Sequence, residues 1–553
     1  MTQDTLDRPV ADDAEDLDAV DLAFVGAGAS TAYVLIALLA ALGESPPEAP
    51  VRIAVVERAP DAFSGVAYGS RAARTSLLIT PLRDFLPPGE LRRFTGWLAE
   101  NKHRAFDEFL AVDGEVSSRW WARHRDAVAR DDFDDLYLPR YVFGTYLMER
   151  AYAAIAAAEA AGVAATEVIR DDVLAARPDG PGYRLTCGGG EIRARNVVLA
   201  LGCSPVMPRL PGDDGATAAA LEDDPFGHGM DVAMARVEQA ITRPGIEDRP
   251  PHVVLIGGNA GTMDMLYQLR DSPVVAERAA RITVLSPRGE LPERIREAQG
   301  PVDFRPERLH ALSDAEPVRA AAVFEAALED LARGRAAGLS VCDTLRPISD
   351  GVVRVLPRLS HEEALEFAGH WGVELGRHQR RAGWEYHEVV EELATAGRLQ
   401  VVAGSFTGVR GAGRDGVLVG VRRDGVETVL DDPADAVINC GGPVKHVADA
   451  TPSLVAGLIE SGVCRPTRHG SGIVVDETLA AAPGMFVMGP LLAGNVVNGG
   501  PVWHMEHCGR ISSFGSVLGR ELAGTLLAPQ RPAAVEGFPP PERLAAAQAV
   551  SAS

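Results

Sequence analysis

Hydrophobic and polar positions along the chain fall into two periods. Near the start, Asp21-Leu22-Ala23-Phe24-Val25 stops at Gly26-Ala27-Gly28-Ala29-Ser30-Thr31, and an Ala/Leu-rich stretch follows from Ala32 to Leu42. A strand, a glycine turn and a helix in immediate succession aim several backbone N–H groups at one point, which is how a helix N-terminus holds a pyrophosphate. The next strand, Arg52 to Glu57, is β-branched and ends in an acid able to accept ribose hydroxyls. Its distance from the turn exceeds the usual ~20 residues, and the Pro-rich loop Gly43 to Glu48 absorbs the excess. Where the dinucleotide fingerprint has its third glycine, this chain has Thr31 or Ala32.

Further along, Phe63 to Gly69 forms a glycine-bounded turn followed by Ser76 to Pro81. Such a loop lies against a bound ring system or serves as a structured connection, and the residues leave both open. Arg93 to Tyr152 is predicted mostly helical, with Pro139 in a first turn that continues through Leu147. The period then changes to two, predicting strands over Thr166–Ile169, Val173–Arg177, Tyr183–Cys187 and Glu191–Ala194. They lead to the apolar run Asn196 to Gly202, which either returns beside the first unit or starts a linker.

The pattern of strand, glycine turn and helix recurs at His252 to Asp264, with Asn259 where the second glycine is expected. The following strand, Arg281 to Leu285, ends not in an acid but in Ser286-Pro287-Arg288. A hydroxyl and a guanidinium suit the 2′-phosphate of NADPH, and the acid expected for an NAD ribose is missing. The alternative is that Arg288 is a solvated surface charge. Helical, alanine-rich segments are predicted over Ala315–Ala337 and His361–Ala396, and the second of these gathers His370, Trp371, His378, Trp384 and His387 as core or interface groups rather than metal ligands. Strands return at Leu399–Val402, Gly416–Val421 and Asp435–Gly442; the last repeats the pattern of Val197–Gly202, one closing strand for each unit. The final block comprises Gly472–Asp476, Met485–Leu491 and a helix entered over Pro501 to His507 and running to about Leu522.

Composition narrows the partners. With 54 Lys and Arg against 77 Asp and Glu, the net charge of −23 argues against nucleic acid or an anionic membrane, so a phosphate must be met locally. The longest apolar run is too short to span a bilayer, and the acidic start lacks the features of a signal peptide, so a cytoplasmic protein is expected. Six cysteines without close pairs predict inert, buried thiols. The organisation expected is an acidic tail over 1–19, one unit over 20–215 and 430–527 with a helical insertion at about 85–155, a second unit over 245–429 with its own helical insertion, and an unstructured Pro/Ala-rich tail over 528–553.

With both units in place, the chain resembles the flavoproteins with two dinucleotide-binding domains, and within them the FAD/NAD(P)-binding proteins that contain single-component, NADPH-dependent flavin monooxygenases. Gly65-Val66-Ala67-Tyr68, Leu138-Pro139-Arg140 with Phe143-Gly144, Val197–Gly202, Asn439–Pro443, and Gly489-Pro490 with Trp503-His504 carry the resemblance over about Asp21 to Leu522. It is most similar there to the aspartate N-monooxygenases (nitrosuccinate synthases). The resemblance implies an α/β fold of two Rossmann-like domains with helical insertions. It implies FAD at Gly26, Gly28, Ser30 and Glu57, with Gly65, Tyr68, Gly202, Gly489 and Pro490 around it, and NADPH at Gly257, Asn259, Ala260, Gly261, Thr262, Ser286 and Arg288. It further implies O2 activation through a C4a-(hydro)peroxyflavin and oxidation of the amino nitrogen of a small amino acid, aspartate first, giving nitrosuccinate. A homo-oligomer is compatible with it. Thr31 and Asn259 depart from the family's glycines, and Ile79 stands where many relatives have asparagine. Arg140, His504 and His507 are candidates to face the substrate carboxylates. The competing functions are a flavin-dependent C-hydroxylase or NADPH oxidoreductase of the same fold, and a nucleotide-sensing or redox-partner module.

Overall fold

In a computed structural model the chain is described over residues 17–528, apart from 204–206, 212–218, 247–248, 296–302, 316, 412–415 and 450–452. The expected tails at 1–16 and 529–553 lie outside the described residues. In chain order the elements of the first unit are β1 (Leu17–Val25), α1 (Ala29–Glu44), β2 (Val51–Glu57), α2 (Gly65–Tyr68), α3 (Pro88–Ala105), α4 (Asp107–Leu110), α5 (Glu115–Ala129), α6 (Arg140–Ala160), β3 (Ala164–Arg170), β4 (Val173–Asp179), β5 (Gly182–Cys187) and β6 (Glu191–Leu199). The second unit follows with β7 (Ala220–Glu222), α7 (Pro225–His228), α8 (Met230–Ile241), β8 (His252–Ile256), α9 (Ala260–Asp271), α10 (Pro273–Glu277) and β9 (Arg281–Ser286).

An insertion comprises β10 (Glu293–Arg294), α11 (Glu307–Leu312), α12 (Ala320–Ala336), α13 (Val341–Val355), α14 (His361–Glu366), a π-turn at Phe367–Trp371, α15 (Gly372–His378), β11 (Arg381–Ala382) and α16 (Trp384–Thr395). The second unit resumes with β12 (Leu399–Ala403), β13 (Ser405–Gly411), β14 (Val417–Arg423), β15 (Val426–Val429) and β16 (Ala436–Asn439). The chain then returns to the first unit through α17 (Leu454–Glu460), β17 (Ala480–Ala482), β18 (Met485–Val487), β19 (Asn495–Val497), β20 (Gly500–Val502) and α18 (Cys508–Leu527).

The two units are built alike. Strands β3-β2-β1-β6-β18 run parallel in the first sheet, and β12-β9-β8-β16-β7 run parallel in the second. Leu22 to Val25 and Val253 to Ile256 are buried throughout, because a parallel strand covered on both faces has no solvent side to serve with polar residues. The antiparallel pair β4-β5 extends the first sheet from β6, and β13-β14-β15 form a separate antiparallel sheet. Helix α1 is buried almost all round because α18 lies against it: a Cβ on Gly519 would stand 2.6 Å from both Ala37 Cβ and Val34 O, and one on Gly515 2.8 Å from Tyr33 Cβ. Each leucine that α1 buries, Leu35, Leu38, Leu39 and Leu42, contributes about 1.5–3 kcal/mol. One apolar core runs through both units, and a separate one fills the insertion from Leu309 to Leu375.

Several expectations are corrected. Strand β16, placed by the sequence boundary in the 430–527 part of the first unit, pairs with β8 and β7 and so belongs to the second; an apolar strand joins whichever sheet has an open edge beside it. The same holds for β7, which lies before the expected start of the second unit at 245. The continuous helix over 361–396 is broken by the π-turn and by β11, whose backbone pairs with β10. Helix α18 starts at Cys508, and Pro501-Val502 instead belong to the β19-β20 hairpin. Ile473 makes only an isolated bridge to Pro466, and the half-exposed β13 and the exposed β15, strands of weak pattern, escape the sequence. Residues Leu17 to Ala19 already belong to β1.

Candidate nucleotide sites and the interface between them

The first turn lies where β1 and β6 part. Gly26 has φ +88°, and a Cβ there would stand 2.6 Å from the carbonyl oxygen of Ala200, just past β6. Only glycine meets both conditions, one conformational and one steric. Gly28 caps α1 without any side-chain hydrogen bond, so the first N–H groups of the helix point outward. Two backbone crossings cover this point. A Cβ on Gly65 would stand 3.1 Å from Gly28 Cα, and a Cβ on Gly489 (φ +84°) would stand 2.7 Å from Ser30 Oγ. Pro490 follows as the first residue of a short 3-10 helix, and Gly202 (φ +74°) turns the chain away after β6. The loop after β2 does lie on the turn: the Phe63 N–H donates to Ala27 O. A cradle of glycines around uncapped helix amides fits a dinucleotide pyrophosphate.

Glu57 closes this site from the end of β2. Its Oε2 accepts the Ala27 N–H at 2.7 Å, its Oε1 accepts the Ala59 N–H at 2.9 Å, and Arg71 stands 3.7 Å away. Tyr68 sits to one side, its ring edge-on to Phe85 and Phe143 and its hydroxyl accepting from Cys508 Sγ at 3.1 Å. Burial pushes the Cys508 thiol up to about 12 and does the same for Cys187, Cys440 and Cys464, so these four are inert. Cys203 is exposed and Cys342 half-buried, against the expectation that all six are buried.

The second turn repeats the first with one difference. Gly257 has φ +120° and its Cβ would stand 2.5 Å from Cys440 O, the counterpart of Ala200 O after β16. Thr262 Oγ1 donates to Gly257 O at 3.0 Å, as Thr31 Oγ1 does to Gly26 O. Asn259, however, caps α9 with its own side chain: Oδ1 accepts the N–H groups of Gly261 (2.9 Å) and Thr262 (3.3 Å), and Nδ2 donates to Cys440 O at 2.7 Å. Ala260 opens α9, and the ring of Phe226 lies over Gly261, where a Cβ would meet it at 3.0 Å.

At the end of β9, Ser286 Oγ accepts the Glu290 N–H at 3.2 Å, so it closes its own loop. Arg288 is half-exposed and pairs with Glu290 at 3.2 Å. It also faces basic side chains that the sequence did not connect with it. His378 is held below its ordinary value by burial and then by Arg288 and Arg335. Arg380 is lowered by burial and then by Arg377 and Arg288. All of these except Arg288 come from the insertion, so sequence distance hid them.

The three substrate-facing candidates are placed differently from expectation. Arg140 is buried between the units: its Nε donates to Leu77 O at 2.8 Å and its Nη1 stands 3.4 Å from Asp264 Oδ2 on α9. Its Nε and Nη1 are thus committed within the protein. Asp264 also accepts from Ser76 Oγ at 2.9 Å, while the Tyr386 hydroxyl donates to Leu77 O and accepts its N–H at 2.7 and 3.0 Å. The loop Ser76 to Ile79 is thus gripped by the second unit. His507 caps α18, accepting the Gly509 N–H at Nδ1 and donating from Nε2 to Asp84 O. His504 is pushed down to about 4 by burial, by Arg510 and by His507, so near neutral pH it carries no charge for a carboxylate. Arg510 spreads over the Trp503 ring at 4.5 Å and donates to His504 O. On the other side, Trp503 packs edge-on against Phe367 of the π-turn, which seats the insertion on the β19-β20 hairpin. Among the described residues no cluster of three or more His, Cys, Asp or Glu could hold a metal, and no helix is long and apolar enough to cross a membrane.

The comparisons with known proteins agree with this geometry. A family model described as FAD-NAD(P)-binding matches residues 23–204. Uncharacterized proteins of Mycobacterium tuberculosis H37Rv and Mycobacterium bovis are each 32% identical over 523 residues, 93% of this chain and 96% of theirs. Among solved structures, the reduced ornithine hydroxylase of Pseudomonas aeruginosa superposes with a TM-score of 0.51 at 16% identity, covering 92% of this chain and 99% of that one. The FAD-bound cadaverine monooxygenase of desferrioxamine biosynthesis from Erwinia amylovora gives 0.50 at 12% identity, covering 95% and 99%. The chain belongs to one family of FAD/NAD(P)-binding flavoproteins with these mycobacterial proteins, and its fold is that of the flavin-dependent oxidoreductases.

Proposed function

We propose that this protein is an FAD- and NADPH-dependent monooxygenase that oxidises the amino nitrogen of a small amino acid, aspartate first, to nitrosuccinate. The observation that carries the proposal is the pair of nucleotide turns at the switch points of two parallel sheets, with α9 of the second fastened through Asp264 to the Ser76–Ile79 loop of the first. FAD belongs at the uncapped first turn with Glu57 toward its ribose. NADPH belongs at the second, its 2′-phosphate toward Arg288 and the basic side chains of the insertion. When bound, the two supply hydride transfer and oxygen activation.

The chain's own part is to position and to exclude water. Gly26, Gly65 and Gly489 shape the cradle, and the gripped Ser76–Ile79 loop fixes one wall. At the β19-β20 hairpin, the neutral His504 and the half-buried Arg510 favour an uncharged amine, because burial and a neighbouring guanidinium both disfavour an ammonium. Ornithine hydroxylase and cadaverine monooxygenase, which share this fold, act on amine-bearing molecules, which supports an amine as the substrate.

The test is oxygen uptake by the purified yellow protein with NADPH across a panel of amino acids, with mass spectrometry of the product. Substrate-dependent uptake with a hydroxylamine, nitroso or nitro product is expected; substrate-independent acceptor reduction would instead identify an NADPH oxidoreductase. In the same assay Arg288→Ala raises the KM for NADPH about 10- to 150-fold, the 1.5–3 kcal/mol of a charge-assisted contact, and leaves that for NADH nearly unchanged. Equal effects on both cofactors would remove Arg288 from the 2′-phosphate site.

A further inference from the structure

The second turn holds a side chain where the first has none. Asn259 Oδ1 takes the N–H groups of Gly261 and Thr262, two of the donors that a helix start leaves without intrahelical partners. Those are the groups a dinucleotide pyrophosphate takes at such a turn. The carboxamide is also held from behind, since Nδ2 donates to Cys440 O at 2.7 Å on the closing strand. Thr262 completes the arrangement by accepting the Asn259 N–H, so the capping box is reciprocal. At Gly28 the corresponding helix has no side-chain cap at all.

We propose that Asn259 is a displaceable cap: its carboxamide and the dinucleotide pyrophosphate compete for the same N–H groups, so the second site binds only as the side chain swings away. The proposal rests on the assignment of NADPH to the second turn. It explains why two turns of one geometry differ in whether a side chain caps the helix. A flavin stays through many turnovers and is served by open amides, whereas a hydride donor leaves after each one. A cap that returns to the amides favours that departure. Asn259 has an extended backbone (φ −131°, ψ −171°), which alanine adopts without strain, so the side chain can be removed and the turn kept.

The test is NADP+ binding to the FAD-loaded protein, wild type, Asn259→Gly and Asn259→Ala, by calorimetry, with NADP+ release followed by stopped flow. Since a helix cap is worth from a few tenths to about 1 kcal/mol, removal of the competitor tightens NADP+ about two- to fivefold, with slower release. Both variants lower the unfolding midpoint without nucleotide, and flavin content does not change. If both variants bind NADP+ equally or more weakly than wild type, Asn259 is a bystander or a direct ligand and the competition is refuted, while the NADPH assignment stands. If neither wild type nor variants bind NADP+, the competition and the assignment fall together.

Discussion

The two nucleotide turns share their skeleton and differ in what they do with it. Gly26 and Gly257 both have positive φ and both press on the carbonyl oxygen of a closing strand. Thr31 and Thr262 both return a hydroxyl to that first glycine. The divergence lies in two side chains. Gly28 leaves its helix open where Asn259 caps one, and the next helical turn carries Tyr33 in α1 but Asp264 in α9. Tyr33 stays inside its own unit, with its hydroxyl 3.3 Å from Glu90, whereas Asp264 reaches across to Ser76 and Arg140. One scaffold has therefore become an anchored site and a site coupled to its neighbour.

The coupling is broken most severely at Asp264. It is fully buried, and Arg140 opposite is kept protonated: burial acts against the guanidinium charge, and Asp264 together with Tyr386 and Tyr68 more than offsets it. Asp264→Ala leaves that charge without its carboxylate in a buried site, which costs about 3–5 kcal/mol. The expected outcome is a large fall in the apparent unfolding temperature, whereas Tyr33→Phe, which removes only one long hydrogen bond inside the first unit, changes it little. A small effect of Asp264→Ala would mean that water replaces the carboxylate and that the units are less firmly joined than the geometry shows.

The skeleton itself is tested by alanine at each first glycine. Gly26→Ala and Gly257→Ala both force a side chain into positive φ, about 1–2 kcal/mol, and both set a Cβ against backbone that cannot turn aside. Their costs in stability should match within about 1 kcal/mol. Their cofactor effects should not: flavin absorbance is lost from Gly26→Ala and retained by Gly257→Ala, which instead loses NADP+ binding. Loss of flavin from both would show that the turns are not independent sites.

These comparisons also show what the sequence could reveal. The two turns, β1, β8 and the order of strand, glycine and helix are legible because buried parallel strands and positive-φ glycines leave a local signature. Ala200 O and Cys440 O, which make Gly26 and Gly257 necessary, are far away in sequence and could be identified only after folding. The partners of Arg140 were hidden for the same reason, since nothing local shows that Asp264 stands opposite it. The boundary at 430 failed, whereas the reading of Asp435–Gly442 as the closing strand of the second unit holds, because that strand repeats Val197–Gly202 before a glycine turn of its own. His378 and Arg380 were invisible as neighbours of Arg288, since they follow it by some ninety residues, at and just past the end of α15, and the folded insertion brings them back to the loop after β9.

The finest difference between the turns lies at the threonines. Both are fully buried, and valine matches their shape while removing the hydroxyl, so each Thr→Val leaves a glycine carbonyl without that donor at a cost of about 1 kcal/mol. In the first turn that is the whole effect, because no side chain shares the hydroxyl's work. In the second, Thr262 Oγ1 also accepts the Asn259 N–H at 3.4 Å, a long contact that belongs to the capping box. Thr262→Val therefore loosens Asn259 as well, and combining it with Asn259→Gly costs less than the sum of the single changes, by at least ~0.5 kcal/mol. Thr31→Val with Asn259→Gly, in separate units, adds. Urea midpoints of the single and double variants, with hydrogen exchange of the amides over 257–266, read the difference. Additivity in both combinations would show that Thr262, like Thr31, braces only its glycine, and the two threonines would then be equivalent.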